Sequence, residues 1–139
     1  MRDLLVIYSD DNGRIKFGFN KHPKAISGPA NLIQIVVKQL LTQVGSNLFC
    51  PNVGSTLLNV IGRGYNPTDE TNFKNMLAMV IHEVETKIKA DQYSQPLLTP
   101  SEQLDSIGID SIQIDDMEGK IFLDLRIKTK TNNVYMVKL

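Results

Sequence analysis

The sequence predicts an α+β fold: a short N-terminal strand or arm, a helical hairpin and a third long helix, packed on a C-terminal antiparallel three-stranded meander. Three observations carry this. Apolar residues recur at helical spacing from Leu32 to Val44 and again from Phe73 to Ile88. From Ile107 onward the apolar period drops to two, the period of a strand with one buried face. Breaks rich in proline and glycine, around Pro51 to Gly54 and Pro96 to Pro100, separate the blocks. With 139 residues and 42% hydrophobic content, residues 1–139 form a single domain able to bury a real core.

At the amino terminus, DLLVIY is short and apolar, and Ile15 to Phe19 alternates just after Asn12-Gly13, so a small strand or extended arm is expected. His22 precedes Pro23, which biases the pair away from helix and makes His22 a loop residue rather than a ligand. Ser27 offers an N-cap and Pro29 is tolerated in a first turn. A first helix is therefore expected over residues 28–44, closed by Gly45 in a left-handed C′ position. Its stripe of Leu32, Ile35, Val36, Leu40 and Val44, widened by Ile33, Val37 and Leu41, marks it as well buried. SNLFCPNVG then makes a compact turn, and Ser55 caps a short helix, TLLNVI, ended by Gly62 and Gly64.

Thr68, with Asp69 and Glu70 behind it, starts a third helix of some twenty residues. Phe73, Met76, Leu77, Val80, Ile81, Val84 and Ile88 form its apolar stripe, which reads as core rather than a cofactor pocket. Pro96 and Pro100 break the pattern, and Thr99, Ser101 and Glu102 suit one helical turn within the connecting loop. Ile107 and Ile109 alternate in one phase and Ile112 and Ile114 in the other, which a bulge near Asp110-Ser111 reconciles. Asp116 to Gly119 is a turn, Ile121 to Thr129 a strand with Asp124, Arg126 and Lys128 on its polar face, and Asn132-Asn133 a tight turn into a last strand ending at Leu139.

Formal net charge is zero, which leaves no basic footprint for nucleic acid. Neither a membrane-spanning apolar run nor a signal-peptide pattern is present, so a cytosolic, membrane-free protein is expected. Cys50 is the only cysteine and reads as a small packed hydrophobe. With two histidines and one cysteine, the chain lacks a metal-ligand cluster, phosphate loop or nucleophilic triad, and no cofactor is expected. Charge is uneven: residues 67–119 hold eleven acidic and three basic side chains, and residues 120–139 five basic and one acidic. Cross-strand pairing is the simpler explanation and a directional docking surface the sharper one. From Ser27 to Asn66 only Lys38 and Arg63 are charged, which fits either a surface meant to be covered or a mostly buried hairpin.

The segment LLTQVGSNLFCPNVGSTL, with Thr42, Gly45, Pro51 and Gly54, preceded by Gln34 and followed by Leu57, resembles the small baseplate wedge proteins of contractile phage tails. That family, often labelled lysozyme-like, includes relatives in contractile bacteriocins and type VI secretion baseplates. The resemblance extends from Tyr8 to the terminal strands. It implies a non-enzymatic virion protein of the tail baseplate, assembled in the host bacterial cytoplasm. Such a subunit, present in multiple copies in a six-fold baseplate, links the inner wedge to the tail sheath and templates the first sheath ring by β-strand exchange. Its implied partners are other baseplate wedge proteins and the tail sheath protein, with no nucleic acid and no membrane.

The family's third helix ends in a Glu-Pro-Arg motif that docks onto the wedge. The matching residues are Glu85, Thr86, Lys87 and Ile88, in which Thr86 replaces the proline and Lys87 the arginine, losing the bidentate fork. The resemblance also implies that the terminal stretch Thr129, Lys130, Val134, Tyr135, Met136, Val137, Lys138 and Leu139 carries the strand edge that pairs with sheath. Two rival readings remain at this level. One is a peptidoglycan-degrading muramidase using Glu85, although Glu83 and Glu85 cannot serve together because positions two apart point to different helix faces. The other is a protein-binding adaptor on the same fold.

Overall fold

A computed structural model describes residues 3–4, 7–9, 15–17, 25–62, 67–115 and 117–139. The architecture is α+β: three helices and a C-terminal antiparallel three-stranded sheet, preceded by short N-terminal strands. The expected arm consists of β1 (Asp3–Leu4), β2 (Ile7–Ser9) and β3 (Ile15–Phe17), with β2 and β3 paired antiparallel. A further strand, β4 (Ala25–Ile26), pairs with β1, where a plain lead into the helix was expected. Asn12-Gly13 and His22-Pro23 lie outside the described residues.

The first helix, α1, spans Pro29–Leu41 and is shorter than its apolar pattern. At its start Gly28, not Ser27, is the N-cap, at φ 69, and no local side chain caps it. At its end the Thr42 hydroxyl bonds back to the Lys38 carbonyl at 2.6 Å while Thr42 itself turns to extended backbone. Gly45 does take a left-handed φ of 85, but in the loop beyond rather than as the helix terminator. Leu32, Val36, Val37 and Leu40 are fully buried, as are the polar Asn31 and Gln34.

Helix α2 covers Leu57–Gly62, and the Ser55 hydroxyl accepts from the Leu57 amide at 3.3 Å, in keeping with its expected capping role. Helix α3 runs Glu70–Tyr93 after a 3-10 turn at Pro67–Asp69, with Asp69 rather than Thr68 at the cap. Its buried stripe is the expected one, save that Met76 is only partly covered. The helix packs against α1, α2 and the first strand of the sheet, so it is the element about which the core assembles.

That sheet has the order β5 (Leu104–Asp115), β6 (Lys120–Thr129) and β7 (Val134–Lys138). The register shifts between Ile109 and Ser111, at the expected bulge, and again between Leu104 and Ser106. An extra residue reverses the side-chain phase. The two shifts together leave Leu104, Ile107, Ile109, Ile112 and Ile114 opposite Thr129, Ile127, Leu125, Leu123 and Ile121, all on the face that meets the helices. The turn into β7 uses Asn132 at φ 63, as its sequence suggests. On the outer face Arg126 pairs with Asp110, and Lys128 with Asp105 at 3.6 Å. The uneven charge is therefore matched in part between neighbouring strands.

Candidate interaction surfaces

The motif residues Thr42, Gly45, Pro51 and Gly54 converge on the loop after α1. The Thr42 carbonyl accepts from the Ser55 amide at 2.9 Å and the Ser55 carbonyl from the Val44 amide at 3.1 Å, closing the loop's neck. The Gly45 amide donates to the Pro51 carbonyl at 2.9 Å. Gly54 sits at φ 111, and a Cβ there would lie 2.5 Å from the Thr42 carbonyl oxygen and 2.9 Å from the Val44 nitrogen. Both contacts are backbone, so no larger residue fits without opening the neck. Gln34 and Leu57 are buried supports in α1 and α2.

Beyond the neck the loop bonds to itself. Asn47 Oδ1 accepts from the Phe49 and Cys50 amides at 3.0 and 3.3 Å, and the Val53 amide donates to the Cys50 carbonyl at 3.1 Å. The product is a shaped tip on which Leu48 and Phe49 remain 91% and 95% exposed. Cys50, expected to be packed, is exposed too, because the turn carries its side chain away from the core. The two sequence alternatives for this region divide by element: α1 is mostly buried, whereas the loop and the outer positions Leu58 and Ile61 of α2 face solvent.

The residues matched to the family's docking motif do not share one surface. Ile88 is core, at the bottom of the α3 stripe. Lys87 Nζ reaches the Gly54 carbonyl at 3.1 Å and Glu83 at 2.8 Å, and Gln39 Nε2 donates to the same carbonyl at 3.1 Å, so Lys87 helps to hold the loop's neck. Glu85 is half-buried, taking the Ile107 amide at 3.1 Å on one oxygen and Lys89 at 2.7 Å on the other. Only Thr86 is fully exposed, and its hydroxyl donates to the His82 carbonyl. Helical geometry explains the scatter, since successive positions turn by about 100° and four of them are spread around most of the helix circumference.

Glu85 has a second partner in this arrangement. Seven residues along the same face of α3, Gln92 Oε1 accepts from the Leu104 amide at 2.8 Å while its Nε2 donates to the Glu102 carbonyl at 2.9 Å. The two amides that α3 satisfies lie on the side of β5 away from β6. That side is therefore covered near its start, which is one way proteins keep a sheet edge from pairing further.

The other edge is β7. Leu123 and Leu139 exchange both backbone bonds, at 3.2 and 2.8 Å, and Thr129 takes the Asn133 carbonyl at 3.0 Å. In an antiparallel ladder such pairs alternate, so Tyr135 and Val137 also face β6, whereas the amides and carbonyls of Val134, Met136 and Lys138 point outward. No described strand pairs with that side. Val137 is buried and Tyr135 half-buried on the core face, while the Val134, Met136 and Lys138 side chains are exposed. Thr129 belongs elsewhere: it ends the central strand β6 and is fully buried. Lys130 lies in the exposed turn, with its amide on the Gln103 carbonyl at 3.1 Å. The edge thus begins at Val134, because Thr129 to Asn133 are occupied in closing the hairpin.

Glu102 shows what the sequence reading missed. Oε1 accepts from the Gly28 amide at 2.9 Å and Oε2 from the Thr99 amide and hydroxyl at 3.3 and 3.2 Å. One carboxylate therefore caps α1 across 74 positions of sequence and reaches back within its own Thr-x-x-Glu turn. The Gly28 amide, helped by Thr99, outweighs desolvation and holds its pKa below the ordinary 4.5. The Thr99-x-x-Glu102 spacing was the available signal for the local half, and nothing in sequence pointed to Gly28.

Among the described residues no group of three or more His, Cys, Asp or Glu is placed to hold a metal ion, and no helix is long and apolar enough to cross a membrane. No protein-family profile matches the chain, and no curated protein does.

Proposed function

We propose that this chain is a non-enzymatic structural subunit of a contractile tail baseplate, carried in several copies in the virion, that joins the inner wedge to the sheath and templates the first sheath ring by strand addition. The observation that carries the reading is β7, a sheet edge whose outward row of Val134, Met136 and Lys138 presents amides and carbonyls that no described strand pairs. Main-chain pairing there supplies affinity, and the exposed Lys138 helps to fix register against an incoming strand. The shaped loop built by Thr42, Gly45, Pro51 and Gly54 gives a second support, since these are the residues on which the resemblance to baseplate wedge proteins rests.

The test is co-expression with the sheath and wedge proteins of its own gene cluster, followed by pull-down and electron microscopy. Removing β7 outright would strip Val137 from the core, so Met136→Pro is the better probe. Proline deletes an outward amide without removing a β6–β7 bond, and edge strands tolerate it. Wedge complexes carrying wild-type protein should nucleate short sheath tubes, and those with Met136→Pro should assemble unsheathed. Normal sheaths on Met136→Pro baseplates would refute strand templating.

A further inference from the structure

Between α1 and α3, and bordered by Leu98 and Glu102 of the segment leading into the sheet, lies a cavity of about 180 Å3. Leu32 and Ile35 of α1, Ile88 of α3 and Leu98 give it an apolar lining. Into that lining are set Asn31 and two carboxylates. Asn31 is 2% exposed, and its Oδ1 has no hydrogen-bond partner among the described residues. Glu102 is buried, with the Gly28 and Thr99 bonds described above, whereas Asp91 is exposed and in no ion pair among the described residues. Gln39 and Gln92 also line the cavity, but their amide nitrogens donate elsewhere, to the Gly54 and Glu102 carbonyls. We infer that this cavity binds the ammonium end of a short alkyl chain, either a free primary amine or a lysine side chain of another polypeptide, with Asn31 Oδ1 accepting from the ammonium and the stem lying on the apolar lining. None of the described lining residues belongs to β7 or to the loop after α1, so the inference stands apart from the baseplate reading.

Size, charge and the unpartnered oxygen select this ligand. An apolar cavity of roughly 150 Å3 holds benzene, so the space here accommodates about six heavy atoms, the size of a pentylammonium ion. Two carboxylates line it and, among the described residues, no lysine or arginine does, so the local field favours a cation and repels an anion. The Gly28 amide keeps Glu102 ionised at neutral pH. A buried oxygen without a donor costs free energy that an incoming N–H recovers, and an ammonium brings three donors. Water is the competing occupant, because the cavity has room for several molecules and Asn31 offers one an acceptor. The four apolar side chains give water no partner, whereas an alkyl stem is favoured against them.

The experiment titrates wild type, Asn31→Ala and Asp91→Asn with n-pentylamine hydrochloride at neutral pH, following backbone amides by heteronuclear NMR after thermal melts have shown each variant folded. Pentanol and pentanoate serve as neutral and anionic chains of the same length, and Nα-acetyl-lysine methylamide represents a lysine within a polypeptide. The expected result is saturable shifts at Leu32, Ile88 and Leu98 in wild type. Affinity should fall at least about tenfold in Asn31→Ala, the loss of one hydrogen bond to a charged group, and about threefold in Asp91→Asn, where solvent screens the carboxylate. Pentanol or pentanoate binding as tightly as the amine overturns the inference, and so does equal binding by wild type and Asn31→Ala. Shifts that do not saturate with either the amine or the lysine derivative overturn it in favour of water alone. Saturation by the lysine derivative at least as tight as by the amine supports the site with a polypeptide as the source, and saturation by the amine alone supports it with a free amine.

Discussion

Replacing Glu102 with glutamine tests the tertiary cap on α1. Glu102 is only 6% exposed, and the contribution of its carboxylate is taken from the hydrogen bonds it accepts. A bond to an ionised acceptor contributes about 1.5–3 kcal/mol. Glutamine keeps an oxygen for one donor, loses the charge, and sets an NH2 against another donor, so the cost at pH 7 should be about 1.5 kcal/mol. For a domain of this size that is roughly 5 °C in melting temperature. The pH dependence gives the sharper signature. A carboxyl whose folded pKa lies below 4.5 contributes stability that is complete above 4.5 and is lost as pH falls through the folded value. Wild type should therefore lose its advantage over Glu102→Gln as pH falls below 4.5 and through the folded value. Every other carboxyl titrates in both proteins and cancels in the difference. Chemical denaturation of the pair across that range reads the gap directly. A gap that is absent at pH 7, or that does not shrink as pH falls below 4.5, would refute the cap.

Four further outcomes follow from the same structure. Gly54→Ala forces a Cβ against two backbone atoms at a φ that L residues avoid, and should cost about 3 kcal/mol or more in denaturant melts. Leu125→Ala, at a fully buried position in the central strand, should cost about 2–5 kcal/mol, whereas Leu48→Ser and Phe49→Ser should each stay within about 0.5 kcal/mol of wild type. Asn31 Oδ1 is buried and has no hydrogen-bond partner among the described residues, so Asn31→Ala should stabilise by about 0.5–1 kcal/mol, and a loss of stability would show that the amide is satisfied in solution. Glu85→Ala should speed amide exchange at Ile107 while leaving that of Leu125 unchanged, and unaltered exchange at Ile107 would remove Glu85 from the β5 edge.

Periodicity alone determined most of the fold. The apolar spacing of α1 and α3 and the two-residue period of β5 and β6 specify which face each element buries, because burying that face is what makes the element stable. The phase break at Asp110-Ser111 even located a bulge, since a slip of one residue would otherwise turn Ile112 and Ile114 to solvent. Turn chemistry was legible at Asn132, where few residues accept a positive φ. Ends and pairings were decided only in three dimensions. Ser27 is a good cap by type, yet the Gly28 amide is satisfied by Glu102, a residue that no local rule connects to it. Glu85 and Lys87 read as a surface motif until packing turned one toward a strand edge and the other toward the Gly54 carbonyl. The strands that remain available for pairing were also settled by tertiary structure, because an edge exists only once neighbours are assigned. Sequence fixes what each segment prefers through spacing and side-chain type, while the partners of individual donors and acceptors depend on which segments the folded core brings within about 3 Å.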